Sequence, residues 1–165
     1  SIKCEDIYWP KEEYDLSDFV KLHLEDDLKG RIIADREVEI FRKQGSGKGE
    51  QIDIQLRSSA KNEITVNIEV KGCWNKGLYN DIENQLATRY LDNYPTCRHG
   101  LYLVGWFNCP QWDEKDDRNN VAKKFNSIEE LRKILDQQSE NLSQEGLHIK
   151  ACVIDASLYH EEETQ

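Results

Sequence analysis

Eight consecutive residues, Ile64-Thr65-Val66-Asn67-Ile68-Glu69-Val70-Lys71, alternate between apolar and polar. An extended strand turns such alternation into two faces, because successive side chains point to opposite sides of a pleated backbone. Ile64, Val66, Ile68 and Val70 then face a core, and Thr65, Asn67, Glu69 and Lys71 lie opposite. The run Gln51–Leu56 repeats the pattern, setting Ile52, Ile54 and Leu56 against Gln51, Asp53 and Gln55. A third strand-like run covers about Arg36 to Phe41. The connections, Gly45-Ser46-Gly47-Lys48-Gly49 and Ser58-Ser59-Ala60-Lys61-Asn62, are short and polar, which predicts an antiparallel meander.

Helical spacing brackets these strands. Leu16, Phe19, Val20, Leu22, Leu24 and Leu28 predict a first helix after a Ser17 or Asp15 cap, stopped at Gly30. Leu78, Ile82, Leu86 and Tyr90 predict a second over about Gly77–Leu91, with Pro95 beyond it. His99–Phe107 is nearly continuously apolar, the pattern of a strand covered on both faces. After a polar loop, Ser127-Ile128-Glu129-Glu130 carries a capping-box sequence, Leu131, Ile134 and Leu135 share a helix face, and His148–Ile154 forms a last strand. The expected class is α/β, a mixed central β-sheet flanked by helices in the order α-β-β-β-α-β-α-β. With 165 residues and no internal repeat or low-complexity linker, residues 1–165 read as a single domain.

Composition narrows the function classes. No apolar stretch reaches the roughly 18 residues of a membrane span, and no basic-then-apolar leader opens the chain, so the expectation is a soluble, cytoplasmic protein with no membrane partner. Five Cys, an odd and scattered set, do not form a disulfide framework and fit a reducing compartment. The chain begins at Ser1 and contains no Met, from which we expect a domain cut from a larger protein. The net charge of −10 is the wrong sign for a free-standing nucleic-acid binder. That charge is uneven, however: residues 1–30 sum to −5 and 101–165 to −6, while 31–100 carry +1. Acidic runs such as Glu25-Asp26-Asp27, Asp113-Glu114-Lys115-Asp116-Asp117 and Glu161-Glu162-Glu163 read as solvated faces.

Two lesser motifs point away from other chemistries. Cys97, His99 and Cys109 could supply three zinc ligands, but no C-x-x-C pair accompanies them, and buried thiols are the better reading. Gly45–Gly49 resembles a phosphate-binding loop only superficially, since Arg42 occupies the first Gly position and Gly49 follows Lys48 where Ser or Thr belongs. It reads as a hairpin turn, with Arg42, Lys43 and Lys48 available to phosphate.

The chemistry concentrates on the polar strand faces. Glu69 and Lys71 are neighbours on one face, about 6 to 7 Å apart along the strand. Asp53 joins them if the two strands pair. Two carboxylates beside an ammonium suit Mg²⁺, which takes oxygen ligands and keeps several waters. The lysine orients or deprotonates a metal-bound water and offsets negative charge growing on phosphorus. Three exposed residues forming a surface ion pair are the bland alternative, and Asp and Glu are poor strand formers without a reason to be there.

Asp53, a gap of 16 residues, Glu69-Val70-Lys71 at a strand end and a helix thereafter resemble the PD-(D/E)XK nuclease superfamily, the restriction-endonuclease-like fold. The likeness covers roughly residues 16–107, with the helix and strand within 127–157 as a peripheral addition, and Ile52 stands where that family carries proline. The resemblance implies a divalent-metal-dependent nuclease hydrolysing phosphodiester bonds, most simply of double-stranded DNA, and serving restriction, repair or antiviral defence. Mg²⁺ is the implied cofactor, with Mn²⁺ as a substitute; Asp53 and Glu69 are the implied ligands, with the Val70 carbonyl and an upstream carboxylate, Glu39 ahead of Glu37 and Glu25, and Lys71 is the catalytic lysine. A non-catalytic nucleic-acid-binding or assembly module on the same fold is the alternative.

The RecB-like branch of the family carries Gln-x-x-x-Tyr on the second helix; here Gln85 is followed at +4 by Arg89, and Tyr90 comes one position later. Gln85 is a candidate neighbour of the catalytic group. Lys48, Lys76 and Arg89 are candidate phosphate contacts, with a solvated helix face as the plain alternative for the last two, and Trp74 is placed either to stack on a base or ribose or to pack the sheet edge. Because the flanks repel phosphate, DNA binding is expected to need other domains of a parent protein or a homo-oligomer.

Overall fold

The alternating runs become strands, in chain order the first two longer than their patterns and the third shifted by one residue. A computed structural model describes residues 8–41, 50–58, 64–92, 96–144 and 146–158. In it β1 (Ile32–Phe41), β2 (Glu50–Ser58) and β3 (Thr65–Gly72) form the antiparallel meander, followed by β4 (His99–Trp106) and β5 (His148–Asp155) in parallel. Together they make one five-stranded mixed sheet in the order β1-β2-β3-β4-β5. The expected connecting turns at 45–49 and 59–62, Lys48 with its neighbours Arg42 and Lys43, Pro95 and Glu161–Glu163 all lie outside the described residues.

α1 (Glu13–Asp27) starts four residues ahead of the expected Ser17 cap. Glu12 is its cap instead, and the Asp15 carboxylate accepts the Glu12 N–H at 3.2 Å, so both expected caps lie inside the helix. Leu16 and Val20 are buried, but Phe19 and Leu22 are exposed, so a narrower stripe than the sequence suggests meets the sheet. The second helix begins as a short α-helical turn, α2 (Leu78–Asp81), and continues as a π-helical segment (Ile82–Asp92). Ile82, Leu86, Ala87, Tyr90 and Leu91 bury its inner face.

The polar loop of the sequence contains a further short helix, α3 (Asp117–Ala122). Its cap, Asp116, belongs to an acidic run that composition assigned to solvent, yet it is 5% exposed. The indole of Trp112 donates to it at 2.9 Å and Arg118 donates through Nε and Nη2, so the charge is buried because it is paired. α4 (Ile128–Leu142) opens with the Ser127 hydroxyl accepting the Glu130 N–H at 3.1 Å, as the capping sequence predicts, and buries Leu131 and Leu135 beside β5. Each such leucine contributes about 2 kcal/mol through burial.

Helices on the sheet bury both faces of β3. Ile68 and Val70 are 0% and 1% exposed on one side, and Asn67, Glu69 and Lys71 are 0%, 2% and 8% exposed on the other. Ile64, which alternation assigned to the core, precedes the strand and is exposed. The polar side of β3 lies beneath the π-helical segment, where Asn67 donates to the Tyr90 carbonyl and Lys71 donates to Gln85. A polar strand face buried under a helix is the feature that makes a site here.

Candidate active site

Where β2 stops pairing with β3, a carboxylate takes over. The register runs from Arg57↔Thr65 to Ile54↔Ile68, and beyond it the Val70 N–H donates to Asp53 Oδ2 at 2.8 Å. A side chain thus satisfies an amide that a strand carbonyl would otherwise meet. This contact draws Asp53 to the end of β3 that carries Glu69 and Lys71.

Lys71 is enclosed by acceptors. Its Nζ lies 2.6 Å from Glu69 Oε1, donates to Gln85 Oε1 at 3.1 Å and stands 3.8 Å from Asp81 Oδ2. Glu69 is nearly inaccessible, and its second oxygen, Oε2, is buried without a hydrogen-bond partner. A buried acceptor lacking any donor is uncommon and calls for an explanation. Burial first, then repulsion from Asp53, pushes the Glu69 carboxyl up to about 8 against the pull of Lys71. Asp53 is raised as well, by burial ahead of the Glu13 charge, while the Val70 N–H and Lys71 pull it down. Burial disfavours the Lys71 ammonium, but Glu69, with Glu13 and Asp53, outweighs it and holds the group above its ordinary value. The arrangement is short of positive charge: two carboxylates with raised affinity for protons share one ammonium.

A third carboxylate enters from α1. Glu13 Oε1 accepts the Gly72 N–H and the Asn75 amide, both at 2.8 Å, and Asn75 Oδ1 accepts the Gly77 N–H at 2.8 Å. Glu13 and Asp81 are therefore the additional acidic neighbours of the pair. Glu39 is not: it is exposed on β1 opposite Gln51, one strand farther from β3 than Asp53. Gln51, its partner across the β1–β2 ladder, lies beyond the paired stretch of β2 and β3, which ends at Ile54.

The remaining candidates divide clearly. Gln85 joins the site. Val70 is buried at the strand's end, with its N–H on Asp53. Trp74 offers no face to a base: it is 8% exposed, packed at ring-centroid distances of 5.0 Å on Phe107 and 5.7 Å on Trp112, with the Arg118 guanidinium 5.0 Å from its ring centroid. It turns inward over Gly72, where a Cβ would fall 2.5 Å from the indole. Lys76 and Arg89 are exposed on the second helix and its approach, and neither is among the groups around Glu69. The i→i+5 winding brings residues five apart onto neighbouring turns, so Tyr90 comes round toward the Gln85 side, and its hydroxyl donates to the Gln51 carbonyl at 2.8 Å. Cys97 is buried with its thiol on the Thr65 carbonyl at 3.3 Å, as a structural thiol would be.

Sequence reasoning missed Glu13, Asn75 and Asp81. Asp81 had a signal, standing four residues before Gln85 on the same helix. Glu13 had none, being one of nine acidic residues among the first 30. Among the described residues no group of three or more His, Cys, Asp or Glu side chains converges tightly enough to enclose a metal ion alone. No helix among them is long and apolar enough to cross a membrane. Comparisons with known protein families, with curated proteins and with solved structures find no match for this chain.

Proposed function

We propose that this chain is a nuclease domain of the PD-(D/E)XK type that hydrolyses phosphodiester bonds, most simply of DNA, with Mg²⁺ or Mn²⁺. The observation that carries the reading is Glu69 Oε2, buried and without a donor beside Asp53, on a strand that also presents Lys71. A hard divalent cation is the group that such oxygens lack, and Asp53, Glu69 and the Val70 carbonyl are the atoms that would hold it. Two protein carboxylates are few for calcium and suit magnesium, whose remaining positions go to water and substrate phosphate. When bound, the cation acts as a Lewis acid toward the phosphate and lowers the pKa of a coordinated water.

The chain's own residues supply the rest. Lys71 stays an ammonium through neutral pH and brings a fixed positive charge to the side of the scissile phosphate, where the transition state gathers negative charge. Gln85 holds that ammonium from the helix side and limits its rotamers. The Val70 N–H fixes the Asp53 carboxylate, so one of its oxygens is committed to geometry and the other is left for the site. Net repulsion from the acidic flanks supports a role within a larger protein or an oligomer that holds the DNA.

The test is a cleavage assay on supercoiled plasmid, linear duplex, single-stranded DNA and RNA, with Mg²⁺, Mn²⁺ or EDTA. Cleavage is expected with either metal, none with EDTA, and loss in Asp53→Ala, Glu69→Ala and Lys71→Ala with the fold retained by circular dichroism. Undiminished cleavage in all three variants sinks the proposal.

A further inference from the structure

Two successive outward amides of β3 are satisfied in the same unusual way. The Val70 N–H goes to the Asp53 carboxylate, and two residues on the Gly72 N–H goes to the Glu13 carboxylate, each at 2.8 Å. The intervening direction is ordinary sheet: β3 pairs in parallel with β4 through Gly72↔Gly105, and the Cys73 N–H donates to the Gly105 carbonyl. Amides alternate in direction along a strand, so Val70 and Gly72 both point to the side that β2 has left. Carboxylates from two different elements close that open edge, and Lys71 sits between the two stitches.

We propose that Glu13 is a positioning residue of the site: its carboxylate stands in for the missing β2 ladder at Gly72 and fixes the end of β3 that carries Glu69 and Lys71. The same oxygen accepts the Asn75 amide, and Asn75 in turn accepts the Gly77 N–H, so one carboxylate oxygen organises the whole turn from β3 into α2. Asp81 packs on Gly77, where a Cβ would fall 2.5 Å from its carboxylate, and so the turn also sets the acid that stands 3.8 Å from Lys71.

Arg118 ties down the start of α1, next to Glu13 in the chain. Its Nη1 donates to Glu12 at 2.9 Å, its Nη2 donates to the Pro10 carbonyl at 2.9 Å, and its guanidinium covers Trp74 of the same turn. Asp116, buried and bonded to Trp112, anchors the guanidinium. The start of α1 and the turn after β3 are thereby tied to one cation whose planar fork suits several directed bonds at once. The catalytic consequence rests on the nuclease reading, whereas the strut itself does not.

The experiment compares Glu13→Ala and Glu13→Gln in the full chain by three readouts: NMR amide exchange at Gly72, calorimetric binding of Mn²⁺, and steady-state cleavage of plasmid DNA. Glutamine keeps an acceptor oxygen and loses the charge. Glu13→Ala is expected to speed Gly72 exchange about tenfold or more and to lower kcat by a similar factor with KM within about twofold, and Glu13→Gln to bring both within about threefold of wild type. Mn²⁺ affinity in Glu13→Gln is expected within about threefold as well. Arg118→Ala speeds Gly72 exchange by about threefold, less than the direct loss. Unchanged Gly72 exchange in Glu13→Ala overturns the proposal. So does a Glu13→Gln variant that retains slow exchange but loses cleavage or Mn²⁺ binding, since Glu13 then acts through its charge as a cation ligand. Should Glu13→Ala fail to fold, Glu13→Gln alone decides on the same criteria. If the wild-type chain cleaves nothing with either metal, the nuclease reading falls, and Gly72 exchange still judges the strut.

Discussion

Asn67 and Glu69 stand two residues apart on the same face of β3, both buried beneath the same helix, and the protein treats them in opposite ways. Asn67 is complete. Its Oδ1 accepts from Gln55 at 3.0 Å, and its Nδ2 donates to the Tyr90 carbonyl. Glu69 is incomplete, with one oxygen on Lys71 and the other buried and empty-handed beside a second carboxylate. Asn67 spends its polar atoms on joining helix to sheet, whereas Glu69 keeps one oxygen without a donor in the same environment, the deficit on which the proposed cation site rests.

The largest effect separates the two residues by activity. Glu69→Gln preserves size and hydrogen bonding but removes the charge a cation needs, and cleavage of plasmid DNA with Mg²⁺ is expected to fall about 1000-fold, a loss of the size seen when one charge-stabilising group leaves an active site. Retained cleavage would break the contrast, because Glu69 would then be a buried polar residue like its neighbour.

Asn67 should show its cost in stability instead. Asn67→Ala removes the bonds that tie the Gln55 amide and the Tyr90 carbonyl to the buried face of β3, and urea unfolding is expected to report a loss of about 2 kcal/mol. Glu69→Gln, measured the same way in EDTA at pH 8, is expected to stabilise by about 1 kcal/mol, since it removes repulsion with Asp53. Equal losses in both variants would erase the distinction.

Part of this contrast was legible beforehand. Alternation from Ile64 to Lys71 placed Asn67, Glu69 and Lys71 on one face, and the same rule on Gln51–Leu56 placed Asp53, because strand periodicity is a local property. Helical spacing likewise reached Gln85. What local patterns do not carry is which face a second element will cover. Trp74 reads equally as a stacking surface or as packing, and it is buried because Phe107, Trp112 and Arg118, all more than thirty residues downstream, converge on it. Asp116 reads as part of a solvated run for the same reason, and Glu13 is one acid among many until α1 is docked against the end of β3. The π winding that carries Tyr90 toward Gln85 has no sequence period of its own.

A pH measurement sharpens the comparison without any substrate. The Glu69 carboxyl is pushed from an ordinary 4.5 up to about 8 in the folded chain. Between those values the folded protein binds a proton that the unfolded one has released, so stability in EDTA is expected to fall as pH rises through that window, by up to about 5 kcal/mol, and to level off above it. Asn67 contributes nothing to such a slope. Millimolar Mn²⁺ should flatten it, because a cation stabilises the carboxylate that repulsion otherwise penalises. A slope indifferent to Mn²⁺ would place the deficit of positive charge somewhere other than Glu69 and Asp53.

The smallest expected effect tests whether Lys71 belongs to the satisfied side or the deficient one. Its ammonium has three donors, and Glu69 and Gln85 take two, with Asp81 at 3.8 Å. Gln85→Leu removes one acceptor and adds no charge, so Lys71 keeps its ion pair and loses only the bond that fixes its rotamer. Cleavage is expected to fall by about threefold to tenfold, the net worth of one ordinary hydrogen bond, with KM nearly constant. A loss as large as that of Lys71→Ala would mean that the ammonium cannot find its position from Glu69 alone. The π-helical segment would then be part of the catalytic apparatus, on the same footing as the strand beneath it.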